Sequence, residues 1–148
     1  MSEHRVAVAW DRGGADFTYE TYSRSHVVTF GGGVSIPASA APEFRGSPER
    51  VNPEEAFVAA LSSCHMLTFL ALAARKRLVV ESYRDDAVGI LDKNEAGKLA
   101  MTQVTLHPVV RFTEPVAREV LDKLHHQAHE HCFIASSVKT EVRVEPRD

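Results

Sequence analysis

The longest hydrophobic stretch of the chain covers residues 56–74 and shows no polar face at helical spacing. A helix that is apolar all the way round is buried on every side, so this stretch predicts a long central helix in the core. A membrane-spanning helix is the alternative. Glu54 and Glu55 close one end of the stretch, and no second stretch approaches its length, which opposes a membrane protein. Polar side chains interrupt it at Ser62, Ser63, Cys64, His65 and Thr68.

The start of this helix is marked by Asn52 and Pro53. Asparagine caps free backbone N–H groups, and proline suits the first helical position, where its missing N–H is not needed. Glu55 follows Asn52 by three residues, which is the spacing of a capping box. Glu54 is left without an evident capping role.

Alternating hydrophobic positions predict three strands before the helix. Residues 5–10 form the first and the longer run 17–30 the second, and a glycine turn at 31–33 leads into a returning strand at 34–36. In the second run, Arg24 shares a face with aromatic and aliphatic side chains. Together the three runs predict an antiparallel meander.

Further strands are predicted after the helix. Residues 87–93 and 98–112 alternate and are joined by a turn at 94–97, and residues 137–145 form a closing strand. The strand content and the central helix together predict an α+β fold.

A second helix is predicted between these strands, opened by a cap at residues 113–115. Its apolar stripe is typical of a helix that packs on one face, and it consists of Val116, Val120, Leu124 and Ala128. No repeat, linker or low-complexity segment divides the chain, so we expect residues 1–148 to form a single domain.

The composition of the chain excludes some classes of function. A chain of 148 residues with 44% hydrophobic content can build a sizeable core, and a net charge of −3 opposes binding to nucleic acid or to an anionic membrane. The N-terminal residues lack the long apolar region of a secretory signal, so we expect a cytoplasmic protein. In that compartment Cys64 and Cys132 are not expected to form a structural disulfide, which leaves inert thiols or a redox or metal-binding pair.

Cys64 is either a small buried hydrophobe or a reactive thiol. An unperturbed cysteine with a pKa of ~8.5 is only about 3% thiolate at pH 7, so reactivity requires a neighbouring cation. Arg24 is the candidate cation, with a solvent-exposed guanidinium as the alternative. Glu54 is the candidate carboxylate for a buried arginine, and its alternative is a solvated acid in the first helical turn.

Cys132 ends the histidine-rich stretch of the second helix, where it is either a packed helix-end residue or a metal ligand. His125 and His129 stand at i, i+4, which is ligand geometry on a helix, and His131 follows them. Cys64 and His65, elsewhere in the sequence, are further possible ligands. The compact spacing of a zinc finger is missing, which favours a solvated histidine face.

The motif NPEEAFVAALSSCHMLTFLAL, the separation of 68 residues from Cys64 to the segment HEHCFIASSV, and the closing strand resemble the OsmC/Ohr family of thiol-dependent peroxidases. The resemblance implies antiparallel sheets packed around a long buried helix in an intertwined homodimer. It also implies a peroxidatic Cys64, a resolving Cys132, Glu54 as the acid of the Asn-Pro-Glu motif, and Arg24 as the thiolate-binding arginine. Arg45, in the loop before the helix, is the second candidate for that arginine.

The activity implied is reduction of organic hydroperoxides in oxidative-stress defence, without a cofactor, and with re-reduction by an external dithiol such as a dihydrolipoyl protein. The sequence departs from the family pattern at two places. Phe133 stands where a proline commonly follows the resolving cysteine, and His65-Met66 follow Cys64. The alternative function is a non-enzymatic OsmC-like binding protein whose cysteines and histidines are core residues or bind a metal.

Overall fold

The first sheet forms where hydrophobic residues alternate near the N-terminus. The computed structural model describes all 148 residues, and it contains strands β1 (Val6–Ala9), β2 (His26–Phe30) and β3 (Ser35–Ala38) in the order β1-β2-β3. Both pairs are antiparallel, and the register places Val28 opposite Val8 on one side and Ile36 on the other. The predicted meander is therefore confirmed.

Strand β2 is shorter than the predicted run of residues 17–30, which is wrong for its first half. Residues 17–25 form no strand, because their polar side chains and backbone bond locally. The N–H groups of Thr21 and Tyr22 donate to the Thr18 carbonyl, and the hydroxyls of Thr18 and Thr21 lie 2.7 Å apart. Arg24 therefore lies in an irregular segment ahead of β2.

Helix α1 spans Pro53–Arg75 and begins with the predicted capping box. The Asn52 side-chain oxygen accepts a hydrogen bond from the Glu55 N–H at 2.8 Å, and the Glu55 carboxylate accepts one from the Asn52 N–H at 3.2 Å. These reciprocal bonds satisfy two backbone donors at the start of the helix, which fixes where it begins.

The prediction that α1 is buried on every side is wrong for the single chain. Its fully buried residues recur every fourth position, so they form one stripe: Leu61, His65, Phe69 and Ala73. The opposite face is open, and Leu67 there is 60% exposed. By length and composition alone α1 could cross a membrane, as many core helices of soluble proteins could, and only 22% of its most apolar window is buried within the chain.

The remaining strands form two sheets. Strands β4 (Val80–Asp85) and β7 (Pro108–Phe112) pair antiparallel with each other. Strand β6 (Leu99–Leu106) lies between antiparallel β5 (Val88–Lys93) and β8 (Glu141–Val144). The β6–β8 pairing is parallel, which corrects the expectation that all of the sheets are antiparallel.

The predicted strand 98–112 is divided between these two sheets, and β4 was not predicted. The division falls at His107, whose N–H donates to the Asp85 carboxylate at 2.6 Å instead of to a neighbouring strand. Pro108 follows and has no N–H to continue the ladder. A side chain 22 residues away therefore ends β6 and starts β7.

Helix α2 spans Arg118–His131, three residues later than the predicted cap at residues 113–115. Its N-cap is Ala117, which makes no side-chain bond to the helix. The closing strand is also shorter than the predicted 137–145, because the 3₁₀ turn Ala135–Ser137 precedes it.

The core of the second part of the chain lies along the buried stripe of α1. Phe69 and Ala73 pack with Leu124 and Ala128 of α2, and Leu61 packs with Val104 and Leu106 of β6. Residues 1–56 and 57–148 form two compact units. The first contains β1–β3 and the start of α1, and the second contains the rest of α1 and the other elements.

We expect Gly46→Ala to destabilise the first unit strongly. A Cβ atom at Gly46 would lie 1.6 Å from the Ala40 carbonyl oxygen, so the backbone must move, and overpacking of this kind costs about 1–3 kcal/mol or more. Gly32→Ala is the matched control, since nothing lies within 4 Å of its added methyl group. The measurement is urea unfolding of both variants. Equal midpoints would show that the segment around Ala40 adapts without strain.

Candidate active site

Cys64 lies near the middle of α1 and is half-buried. It precedes the buried stripe residue His65, so its side chain is placed at the edge of the packed face and not at its centre. The Thr68 hydroxyl donates to the Cys64 carbonyl at 2.9 Å, which keeps that hydroxyl within its own helix. A solute therefore has partial access to the thiol.

Cys132 caps the C-terminus of α2 and is buried, with 1% of its surface exposed. Its N–H donates to the His129 carbonyl at 3.3 Å, and its Sγ accepts a hydrogen bond from the Ala135 N–H at 3.4 Å. The turn of residues 135–137 folds over the thiol through these contacts. Cys132 therefore has a fixed position and little contact with solvent.

The two thiols, 68 residues apart in sequence, meet in the structure. Burial, and after it the neighbouring Cys64 side chain, raise the pKa of Cys132 to about 11. No disulfide joins the two cysteines in this structure. Two neighbouring thiols can form a disulfide, provided that an oxidant acts on one of them.

Arg24 belongs to the first unit, where it is stacked on an aromatic ring. Its guanidinium carbon lies 3.6 Å from the centre of the Tyr22 ring and 5.3 Å from that of Tyr19. Its Nη1 and Nη2 donate to the carbonyls of Tyr22 and Tyr19 respectively. These contacts hold the guanidinium against the turn of residues 18–22.

Glu54 also belongs to the first unit, and it does not pair with Arg24 within the chain. Its Oε2 is buried without a hydrogen-bond partner. A buried carboxylate oxygen without a donor is energetically unfavourable. Glu54 therefore offers an unused acceptor at the start of α1, as its lack of a capping role indicated.

Arg45, the second candidate for the thiolate-binding arginine, ends a short 3₁₀ turn at Pro42–Phe44 in a left-handed conformation with φ of 64°. Its guanidinium carbon lies 5.5 Å from the Tyr19 ring centre. The Tyr19 ring is thus close to two guanidinium groups, Arg24 and Arg45. The catalytic roles of Arg24, Arg45 and Glu54 stay predictions.

A buried histidine pair was missed by the sequence analysis. His65 and His125 are 1% and 3% exposed, their Nε2 and Nδ1 atoms lie 3.1 Å apart, and Phe69 stacks on His125 at 4.4 Å. Burial lowers the pKa of His65 to about 3 and that of His125 to about 4. The available signal was spacing, because position 65 falls between Leu61 and Phe69 on one helix face.

The histidines of α2 do not all form the solvated face expected from their number. His125 is buried against α1, whereas His126 and His131 are exposed. Among the 148 residues, no group of three or more histidine, cysteine or acidic side chains is arranged to hold a metal ion. The metal-binding alternative therefore gains no support from the geometry.

Comparison with known proteins places these features in context. A profile of OsmC-like proteins matches residues 46–147. An OsmC-like protein of unknown function from Vibrio cholerae has a solved structure that is 52% identical, with a TM-score of 0.95, and the alignment covers 99% of this chain and 100% of that one. No curated protein sequence matched the chain.

More distant solved structures share the fold. An organic hydroperoxide resistance protein from Elizabethkingia anophelis is 18% identical with a TM-score of 0.74, covering 99% of this chain and 94% of that one. Another from Bacillus subtilis is 18% identical with a TM-score of 0.67, covering 99% and 98%. Similarity at this identity establishes the α+β architecture.

The histidine pair predicts a loss of stability in acid. The folded chain keeps both imidazoles neutral down to about pH 4, whereas the unfolded chain binds protons below its pKa of 6.5. The free energy of unfolding therefore falls as the pH drops below 6.5, by about 2 kcal/mol for each histidine at pH 5.

The test is urea unfolding at pH 7 and pH 5. The double variant His65→Leu/His125→Leu, which removes both partners together, should lose less stability between these pH values than the wild type. His126→Leu is the control, because His126 is 71% exposed and should keep the wild-type dependence. A double variant with an unchanged pH dependence would contradict the assignment.

Proposed function

We propose, because this chain belongs to the OsmC-like protein family, that it is a thiol-dependent hydroperoxide reductase with Cys64 as the peroxidatic and Cys132 as the resolving cysteine. The observation that carries the proposal is that these two free cysteines, 68 positions apart in the sequence, are neighbours in the fold. Packed core cysteines need not be neighbours. Relatives with the same fold are named organic hydroperoxide resistance proteins, which supports the same reaction class.

Cys64 is the better candidate for attack on the peroxide. It is half-buried, whereas Cys132 is 1% exposed and burial raises its pKa to about 11. The thiolate of Cys64 attacks one peroxide oxygen, the S–O bond forms and the O–O bond breaks. The leaving alkoxide takes up a proton and departs as an alcohol, and the sulfur becomes a sulfenic acid.

Cys132 then resolves the sulfenic acid. Its sulfur attacks that of Cys64, the S–S bond forms, and hydroxide leaves with the thiol proton as water. A thiol with a raised pKa is protonated until this step, so it does not compete for peroxide. An external dithiol returns the two electrons by exchange with the disulfide, and we propose a dihydrolipoyl protein as one such donor.

Activation of Cys64 requires a cation, and we propose Arg24 for this role with Arg45 as the alternative. Both guanidinium groups lie beside Tyr19 in the first unit. Glu54 would act as a positioning residue, since its buried and unpartnered Oε2 can accept from a guanidinium N–H. No cofactor is needed for these steps. We propose that the chain acts in the cytoplasm in defence against oxidative stress.

The cysteine roles predict a stoichiometric thiol loss. One equivalent of cumene hydroperoxide should consume two thiols of the reduced wild type and lower its mass by about two hydrogens. Cys64→Ser should lose all turnover, whereas Cys132→Ser should react once and accumulate a sulfenic acid that a dimedone probe labels. Full activity of Cys64→Ser would overturn the mechanism, and unreactive wild type would favour the non-enzymatic binding protein.

We also propose that the chain acts as a homodimer. The open face of α1 carries Leu67, and the first sheet exposes Val6 and Val8 at 56% and 68%. Apolar surfaces of this kind are normally covered in a stable protein. A second copy of the chain would cover them, and the proposed arginine of one chain would then serve Cys64 of its partner.

A mixed dimer tests this arrangement. Cys64→Ser chains and Arg24→Met chains are each expected to be inactive. When they are unfolded together and refolded, half of the dimers should combine the two and contain one complete site, which gives about a quarter of the wild-type activity. Separately refolded and mixed samples are the control. No recovery would show that Arg24 acts within its own chain, and a stable monomer at micromolar concentration would rule out the dimer.

A further inference from the structure

The buried histidine pair has no role in the thiol chemistry described so far. His65 of α1 and His125 of α2 are joined by the 3.1 Å hydrogen bond between Nε2 and Nδ1. Each ring keeps a second nitrogen that is buried without a partner, namely His65 Nδ1 and His125 Nε2. Unsatisfied buried polar atoms are rare in folded proteins, and a catalytic role is one of the reasons for which they are kept.

The outer end of the pair is His125 Nε2, because Nδ1 of that ring is bonded to His65. His125 lines a pocket of about 330 Å³ together with Asp122 of the same helix and Val142 and Val144 of β8. The Asp122 side chain is 54% exposed, so water reaches this pocket. A proton can therefore enter or leave the pair at His125 Nε2.

The inner end is His65 Nδ1, on the residue that follows Cys64 in α1. Burial, then His125 and then His129 lower the pKa of His65, so the His129 ring lies near that of His65. His129 stands one helical turn before Cys132, and its Nδ1 is also buried without a partner. The inner end of the pair therefore lies in the part of the core that holds the two neighbouring cysteines.

The hydrogen bond couples the protonation of the two rings. Burial lowers the pKa of both, although the Asp122 and Asp85 carboxylates favour the charged form of His125, so each ring is neutral at pH 7 with one N–H. If His65 Nε2 donates, the N–H of His125 is on Nε2. If His125 Nδ1 donates, the N–H of His65 is on Nδ1. A proton accepted at one end of the pair thus releases a proton at the other, and both rings stay neutral.

We propose that His65 and His125 form a proton relay between the pocket and Cys132, which is 1% exposed and has no direct path to solvent. When Cys132 attacks the sulfur of Cys64, its proton is taken up at His65 Nδ1. The proton on His65 Nε2 moves to His125 Nδ1, and the proton on His125 Nε2 leaves to water in the pocket. The hydroxide that leaves Cys64 takes up one proton from water, so the net product is one water molecule.

Reduction of the disulfide runs the relay in reverse. The Cys132 thiolate takes the proton from His65 Nδ1, His125 Nδ1 returns one to His65 Nε2, and His125 Nε2 takes one up from the pocket. The pair is then restored without rotation of either ring. The relay rests on the proposed roles of the two cysteines, but it does not depend on a hydroperoxide as the oxidant.

The rate of disulfide reduction tests the inward step. Wild type and His125→Ala are oxidised with diamide, which joins thiols without peroxide, and reduction by dithiothreitol is followed by alkylation and mass spectrometry. Dithiothreitol attacks the half-buried sulfur of Cys64, so Cys132 is the leaving group. A thiol with a raised pKa leaves slowly unless it is protonated, so His125→Ala should be reduced at least about tenfold more slowly.

His131→Ala is the control, because His131 is exposed and lies nearer to Cys132 in sequence than His125 does. It should keep the wild-type rate. An unchanged rate in His125→Ala would overturn the relay, and so would a wild type whose cysteines diamide does not join. A wild type that passes these tests but does not react with hydroperoxides would keep the relay and overturn the peroxidase function.

Exogenous imidazole separates proton transfer from packing. His125→Ala leaves a space beside the pocket that a five-membered ring can fill. Imidazole should restore the rate of reduction in a saturable manner, whereas pyrrole, which has the same size but no basic nitrogen, should not. Rescue by both compounds, or by neither, would overturn the relay. If His125→Ala does not fold, His125→Asn replaces it in the rate comparison, because its amide can bond to His65 but cannot pass a proton on.

Discussion

The packing of α1 against α2 is the constraint on which the thiol site depends. Phe69 and Ala73 pack with Leu124 and Ala128, and this contact brings the middle of one helix beside the C-terminal end of the other. Cys64 and Cys132 meet only because the two helices are held in this relation. Any change that shifts one helix along the other would separate the thiols, even if both cysteines were retained. The proximity of the two thiols is therefore a property of the core as much as of the cysteines.

The same packing buries two histidine side chains. Other contacts in the core have to offset the free energy that their desolvation costs. His65 and His125 satisfy one nitrogen each through their mutual bond, while His65 Nδ1 and His125 Nε2 have no partner. Unpaired buried polar atoms are unfavourable by about 1–3 kcal/mol each, so a core selected for stability alone would favour leucine at these positions. The pair predicts a loss of stability in acid, and it places a buried polar contact one residue from Cys64.

The two units contain different candidate functional groups. The second holds the thiols, whose reactivity depends on exposure and on a neighbouring cation. The first holds guanidinium groups without acidic partners, beside aromatic rings and a pocket of about 540 Å³. A peroxidase needs both a thiolate and a place for the organic part of its substrate. A homodimer in which each chain supplies one of these to the other would combine them, and it would cover the open face of α1.

The sequence by itself determined the features that depend on neighbouring residues. The capping box of Asn52 and Glu55, the first meander and the long helix follow from spacing, because each rests on bonds between residues close in the chain. The resemblance to the family also predicted paired roles for Cys64 and Cys132. Tertiary structure alone decided the break at His107, which depends on Asp85, and the burial of His125, which depends on His65. The tertiary structure also decided that one face of α1 stays open. The helix is apolar on all faces, so its sequence does not indicate which face the rest of the chain covers. Contacts between residues 22 or 60 positions apart arise from packing, which no local pattern encodes.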